Sequence, residues 1–193
     1  MEQSNFFALA FRQKYIERWQ LMRSTIPDSL STHVCEVTML THALAELGNN
    51  LCGQSYDVGK AVLLALYHDL PEVLTGDLPT PIKYFSPEMR ENYKRIEAHA
   101  TAQLLEKIPA ELRSVYAPLL SSADTDHALH KLIKAADKLS ALIKCIEEEK
   151  SGNTEFGRAK EETLRVLTEM QCPEADLFCT YFLPAFTKTL DEL

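Results

Sequence analysis

The segment from Val58 to Tyr67 is apolar on almost every side, with Ala61, Val62, Leu63, Leu64, Ala65 and Leu66 in a row, and it runs straight into His68-Asp69. A helix that is hydrophobic all round belongs in the middle of a protein, because no side of it prefers water. Pro71 disfavours helical backbone at Leu70, so the apolar helix stops where the ionisable pair begins. Burying an unpaired carboxylate is costly, and an aspartate at the end of such a helix needs a cation, hydrogen bonds or a proton. The chain is thus expected to build a helical core with polar chemistry at its edge.

The remainder reads as helix too. Helical segments are expected at about 3–19, 31–48, 57–70, 86–107, 110–120, 125–150, 155–170 and 173–189, each end uncertain by roughly 2–4 residues. Six glycines interrupt 193 residues, and the apolar–polar alternation of a half-buried strand is absent. No repeat, low-complexity tract or shift in composition marks a boundary, so the expectation is an all-α fold in one domain spanning 1–193. His33, Val37, Leu40, Leu44 and Leu47 fall on one helical face, with Ser31 or Thr32 as the expected cap before His33. Leu132, Ala136, Leu139, Ile143 and Ile146 form a second buried stripe, with Asp137 on its edge. Thr75-Gly76-Asp77-Leu78-Pro79-Thr80-Pro81 reads as a stiff, turn-rich loop carrying two fixed proline φ angles.

Charge and hydropathy exclude several functions. A formal net charge of -8 argues against binding a nucleic-acid polymer, which needs clustered Lys and Arg. A small anionic substrate is still compatible, since a pocket's local field can oppose the global sign. No apolar run approaches the roughly 20 residues needed to span a bilayer. The opening Met-Glu-Gln-Ser-Asn lacks the pattern of a signal peptide. Cys35, Cys52, Cys145, Cys172 and Cys179 form no C-x-x-C pair and read as reduced thiols, so a cytoplasmic protein is expected.

Two imidazoles and two carboxylates, from His33, His68, Asp69 and Asp137, begin, end or flank inward-facing helices. Such a mixed set suits Mn, Fe, Co or Zn better than an all-oxygen Ca or Mg cage. Taken singly, His33 reads as a satisfied core histidine and Asp137 as a salt-bridged helix residue. His42 lies about 180° around the helix from His33, and His130 about 10.5 Å along the axis from Asp137, so neither shares the ion. His99 and His127 sit in polar surroundings and read as surface residues. One ion per site is the simpler arrangement.

The pattern His33…His68-Asp69…Asp137 resembles the H…HD…D signature of the HD-domain metal-dependent phosphohydrolases, which are all-helical bundles. A dipeptide is a weak signal. The string Tyr67-His68-Asp69-Leu70-Pro71-Glu72-Val73-Leu74-Thr75-Gly76-Asp77-Leu78-Pro79-Thr80-Pro81-Ile82-Lys83-Tyr84 is much more specific, and it resembles the bacterial 5′-deoxynucleotidases of that superfamily. The likeness runs from Phe6-Phe7 through Arg18-Trp19 to Leu190-Asp191-Glu192.

The resemblance implies a role for each matching residue. His33, His68, Asp69 and Asp137 would hold one divalent transition metal, with Co, Mn or Zn the plausible ions. Glu72 would handle protons without being a ligand, although singly it reads as an exposed first-turn glutamate. Arg18 would orient the phosphate with its planar fork. Trp19, the only tryptophan, would leave no room for a 2′-hydroxyl. Asp77, with Leu78, Pro79 and Thr80, would line the nucleoside side, where Asp77 accepts from a 3′-hydroxyl, and Asp69 and Asp137 would also face the substrate. The implied reaction is metal-assisted hydrolysis of a deoxyribonucleoside 5′-monophosphate by a homodimer, with no nucleic-acid or membrane partner. Two positions depart from the family pattern: Thr32, where Glu is common before the histidine, and Pro71, where a small residue is common. Both bear on how neighbouring groups orient. The alternatives are an HD hydrolase of guanosine tetraphosphate or a nucleoside triphosphate, and a degenerate nucleotide-binding or interaction protein.

Overall fold

The computed structural model of the protein describes residues 3–121 and 126–193. Among the described residues the regular structure is helical, and the one extended pairing is an isolated antiparallel bridge between Glu17 and Ser29. No helix among them is long and apolar enough to cross a membrane.

The N-terminal segment departs from the expected single helix over 3–19. It forms α1 (Phe6–Ala10), continues as a 3-10 turn over Phe11–Tyr15, and opens into extended backbone at Ile16. The cause is non-local. Arg18 N–H donates to the Asp28 carbonyl at 2.8 Å and Leu30 N–H to that of Ile16 at 2.8 Å, so two cross-chain bonds replace the helical ladder. These bonds deliver the chain into α2 (Leu30–Leu51). Ser29, not Ser31 or Thr32, caps that helix: its Oγ accepts from Thr32 N–H at 3.2 Å. The expected stripe is present, with His33, Val37, Leu40 and Leu44 buried.

In α3 (Val58–Tyr67), Ala61, Leu64 and Ala65 are buried, but Leu63 and Leu66 are 46% and 41% exposed. The helix is therefore not enclosed on every side as its composition suggests. One buried stripe suffices to seat it, and the other leucines stay at the surface.

The chain packs as two compact units. One comprises the described parts of residues 1–21, 27–34 and 66–125, the other residues 22–26, 35–65 and 126–193. In the first, α4 (Glu72–Thr75), α5 (Thr80–Lys83), α6 (Pro87–Lys107) and α7 (Ala110–Leu120) follow the end of α3. Ser86 starts α6 by accepting from Met89 N–H at 3.1 Å, with Pro87 inside the first turn where its missing donor costs nothing. Phe6, Ala10, Leu70, Leu104, Ile108 and Leu120 form its core, against which Tyr67 and Tyr116 pack edge to face at 5.9 Å.

The second unit is built on α8 (His127–Lys150), with α9 (Gly157–Glu169) and α10 (Pro173–Tyr181). Beyond Tyr181 the expected helix over 173–189 gives way to a 3-10 turn over Leu183–Thr187, because Pro184 offers no N–H to continue the ladder. Late in α8, the buried Glu148 carboxylate accepts from Thr25 N–H at 2.9 Å, Thr25 Oγ1 at 2.7 Å, Asn153 Nδ2 at 2.8 Å and Lys144 Nζ at 2.5 Å. Those bonds hold Glu148 well below the usual carboxylate range, against the opposing effect of burial.

Candidate metal centre and its surroundings

The His-Asp pair sits in the turn that ends α3. Leu70 N–H donates to the Tyr67 carbonyl at 3.1 Å and Glu72 N–H to that of Asp69 at 3.0 Å, so the chain tightens here and restarts as α4. Leu70, 2% exposed, anchors this turn in the first unit's core, and burying a leucine is worth about 1.5–3 kcal/mol. His68 and Asp69 thus sit in the turn between the end of α3 and the anchored Leu70. His33 comes from the first turn of α2 and is fully buried.

These three side chains converge. His68 Nε2 lies 3.1 Å and His33 Nε2 3.5 Å from Asp69 Oδ2, and the two imidazole rings are 5.6 Å apart at 57°. One ligand atom from each residue falls within 4.8 Å of the others. Donors sharing one ion at about 2.1 Å stand roughly 3–3.5 Å apart, so both distances to Asp69 fit a common cation. Burial alone would raise the Asp69 pKa, but His68 and His33 outweigh it and hold the carboxyl well below its ordinary value. An ionised carboxylate beside two imidazole nitrogens is a donor set for a borderline transition-metal ion.

Glu72 opens α4 and is buried, contrary to the exposed position that the sequence alone suggests. Its Oε2 has no hydrogen-bond partner among the described residues. Burial pushes its carboxyl up to about 9, the charges of Asp69 and Asp77 add to this, and Lys83 and Arg18 partly oppose it. Gly76 then turns the chain at φ 74°, a left-handed region that costs glycine least, and its N–H closes α4 on the Glu72 carbonyl at 2.8 Å. Asp77, Leu78 and Pro79 form the connection into α5, which Thr80 opens with Pro81 in its first turn. The expected stiff loop thus lies between two single-turn helices. Asp77 is half-buried, and burial raises its pKa against the pull of Arg18.

Arg18 and Trp19 lie in the irregular segment clasped to Asp28. Arg18 Nη1 donates to Asp28 Oδ2 at 3.4 Å, with both side chains mostly buried. Trp19 has φ 58°, a strained backbone for a residue with a Cβ, and the sort of strain that collects at binding sites. Asp137 belongs to the second unit, on α8, where its Oδ2 accepts from Lys138 Nζ at 2.9 Å. His42 is exposed, on the helix face opposite the buried His33, and His99 and His127 are exposed in line with their polar surroundings. Sequence reasoning gave no role to Asp28 or Lys83. Lys83 stands within the string that carries the family resemblance, but its partner Glu97 is on another helix, 14 residues away.

A family model described as 5′-deoxynucleotidase YfbR-like matches residues 5–186. The chain is 43% identical over 193 residues to the 5′-deoxynucleotidase VP0926 of Vibrio parahaemolyticus, covering 100% of both chains. It is 42% identical to the 5′-deoxynucleotidase YfbR of Salmonella paratyphi B, covering 100% of this chain and 97% of that one. Among solved structures, an HD-domain phosphohydrolase from Listeria innocua is similar with a TM-score of 0.82 at 23% identity, over 94% of this chain and 88% of that one. The cyanophage S-2L HD phosphohydrolase DatZ, solved with dA and one catalytic Zn2+ ion, is similar with a TM-score of 0.66 at 22% identity, over 94% and 96%. These two likenesses speak to the all-α HD fold. By the model that spans nearly its whole length and by relatives matched end to end, the chain belongs to the YfbR-like 5′-deoxynucleotidase family.

Proposed function

We propose that this protein is a metal-dependent phosphohydrolase that converts deoxyribonucleoside 5′-monophosphates to deoxynucleosides and inorganic phosphate. The observation that carries the reading is the convergence of His33, His68 and Asp69, in a chain of this family. Asp137 as the fourth ligand rests on the sequence pattern. Co, Mn or Zn as the ion rests on the donor chemistry, and the Zn2+ of DatZ agrees with it. A cytoplasmic homodimer belongs to the same proposal and rests on the family resemblance.

A divalent cation at this set supplies Lewis-acid polarisation of a phosphoryl oxygen and lowers the pKa of water toward neutrality. The chain's own residues do the rest. Arg18, whose guanidinium is already oriented by Asp28, sets two oxygens of the phosphate with its fork. Glu72 takes or relays a proton, since it is buried beside Asp69 and one of its carboxyl oxygens has no hydrogen-bond partner among the described residues. Phosphoryl transfer depends mainly on positioning and electrostatics, so no covalent nucleophile is required. Trp19 blocks the 2′ position while Asp77 accepts from the 3′-hydroxyl, with Leu78, Pro79 and Thr80 beside the nucleoside. An apolar wall rejects one hydroxyl by roughly 100-fold, which sets the expected preference for dAMP over AMP.

Phosphate release from dAMP, AMP and ATP with added Co or Mn tests the reading. Turnover of dAMP, with AMP roughly 100-fold poorer and ATP inert, supports it. Preferential turnover of ATP or guanosine tetraphosphate moves the protein to another nucleotide, and bound metal without turnover makes the site degenerate.

A further inference from the structure

Lys83, the last residue of α5, has no part in the reaction outlined above, yet three groups surround its ammonium. It donates to Glu97 Oε1 at 3.2 Å, sits 4.3 Å from the centre of the Tyr93 ring, and lies 4.0 Å from Glu72 Oε1. Glu97 and Tyr93 are four residues apart on α6, so they face the same way and form a seat for one cation. The ring face attracts the ammonium electrostatically and the carboxylate fixes it by a hydrogen bond. A flexible lysine is thereby held at one point, and that point is beside Glu72.

Glu72 needs such a neighbour. It is 5% exposed and starts a helix of four residues, and its Oε2 has no hydrogen-bond partner among the described residues. At 4.0 Å, Lys83 attracts Oε1 without a hydrogen bond, so it orients the carboxylate while leaving its acceptor positions open. A hydrogen-bonded partner would compete with the proton that Glu72 is to exchange.

We propose that Lys83, seated on Glu97 and Tyr93, is a positioning residue that holds the Glu72 carboxylate in its proton-handling orientation. The inference rests on the reading of Glu72 given under the proposed function. The neighbours of the Lys83 ammonium given above are Glu97, Tyr93 and Glu72, none of them in the donor set, and it acts through Glu72.

A double-mutant cycle with a structural arm tests this. Lys83→Met keeps the apolar stem and removes the charge. Turnover of dAMP, metal content and crystal structures are compared for wild type, Lys83→Met, Lys83→Arg, Glu72→Gln and the Lys83→Met/Glu72→Gln double variant. For Lys83→Met the expected result is a kcat lower by about tenfold or more, with KM and bound metal within about threefold. Lys83→Arg recovers most of that loss. In the Glu72→Gln background, Lys83→Met costs less than about twofold more, because the group it acts through is already gone. In the Lys83→Met crystal the Glu72 side chain leaves its place while His33, His68 and Asp69 do not move.

An unchanged kcat overturns the proposal, as does a raised KM at constant kcat, which marks a substrate contact. So does a penalty that multiplies in the Glu72→Gln background, which marks an independent structural role. Should Lys83→Met not fold, Glu97→Gln, which removes the seat, takes its place in the cycle. Wild-type protein that releases no phosphate from dAMP defeats the functional reading instead. The crystals still decide the positioning claim in that case, since an unmoved Glu72 overturns it.

Discussion

Two buried glutamates in this chain are built in opposite ways. In the second unit, Glu148 is ringed by donors: Thr25 through its backbone and hydroxyl, Asn153, and the Lys144 ammonium. In the first, Glu72 is buried beside Asp69 and Asp77, with one oxygen unpartnered and its nearest recorded cation 4.0 Å away. Their acidities follow, with Glu148 held well below the usual range and Glu72 pushed up to about 9. A saturated carboxylate has nothing left to offer a ligand and serves to tie residues 22–26 to α8. An unsaturated one is costly to bury, and such a cost persists where a group must exchange protons. Burial alone would have ranked the two alike; the hydrogen-bond census separates structure from chemistry.

The largest effect belongs to the donor set beside Glu72. Asp69→Ala should remove both bound metal and phosphate release, as read by metal analysis and a dAMP assay, because it takes away the charge that His33 and His68 share. Glu72→Gln should keep the metal and lower kcat by about 10²–10⁴-fold, the usual worth of a positioned acid or base. Its stability in urea should equal or exceed that of wild type, since an unsatisfied carboxylate is gone. Unchanged turnover in that variant would refute the proton role.

Glu148→Gln should show the reverse. Loss of the carboxylate leaves Lys144 buried without its charge partner, at a cost of about 3–5 kcal/mol in urea unfolding, while kcat per folded molecule stays within about threefold. A large loss of kcat with stability intact would erase the distinction drawn here.

The pH profile of metal-free protein separates the two groups, because they should bend it in opposite directions. Glu148 has a depressed folded pKa, so its stabilisation is present above the unfolded value of about 4.3 and drains away as the pH falls below it. Glu72 has a raised one, so its contribution is present below about 4.3 and is lost as the pH climbs toward about 9. Urea midpoints at pH 3, 5, 7 and 9 should therefore flatten on the acid side in Glu148→Gln and on the alkaline side in Glu72→Gln.

Much of the fold was legible because long helices announce themselves by period. The limits of α6, α7 and α8 fall close to the expected 86–107, 110–120 and 125–150, of which residue 125 lies outside the described residues. His33 is buried as its stripe requires. What failed was short or non-local. The helices α4 and α5, four residues each, are too brief to show a period, and α1 ends early because Arg18 and Ile16 bond to Asp28 and Leu30 across the chain. Trp19, next to the bonded Arg18, stands at φ 58°, which no local preference would foretell. In the site, the residue types of His68-Asp69 were readable in place. The burial of Glu72 and its proximity to Lys83 were not, since both depend on where α6 packs.

The central claim, that His33, His68 and Asp69 share one divalent cation, is tested most directly by anomalous diffraction from crystals grown with excess manganese or cobalt. The account predicts a single strong peak about 2.0–2.2 Å from His33 Nε2, His68 Nε2 and an Asp69 oxygen. A peak held by other residues, or none between these three at saturating metal, would contradict it.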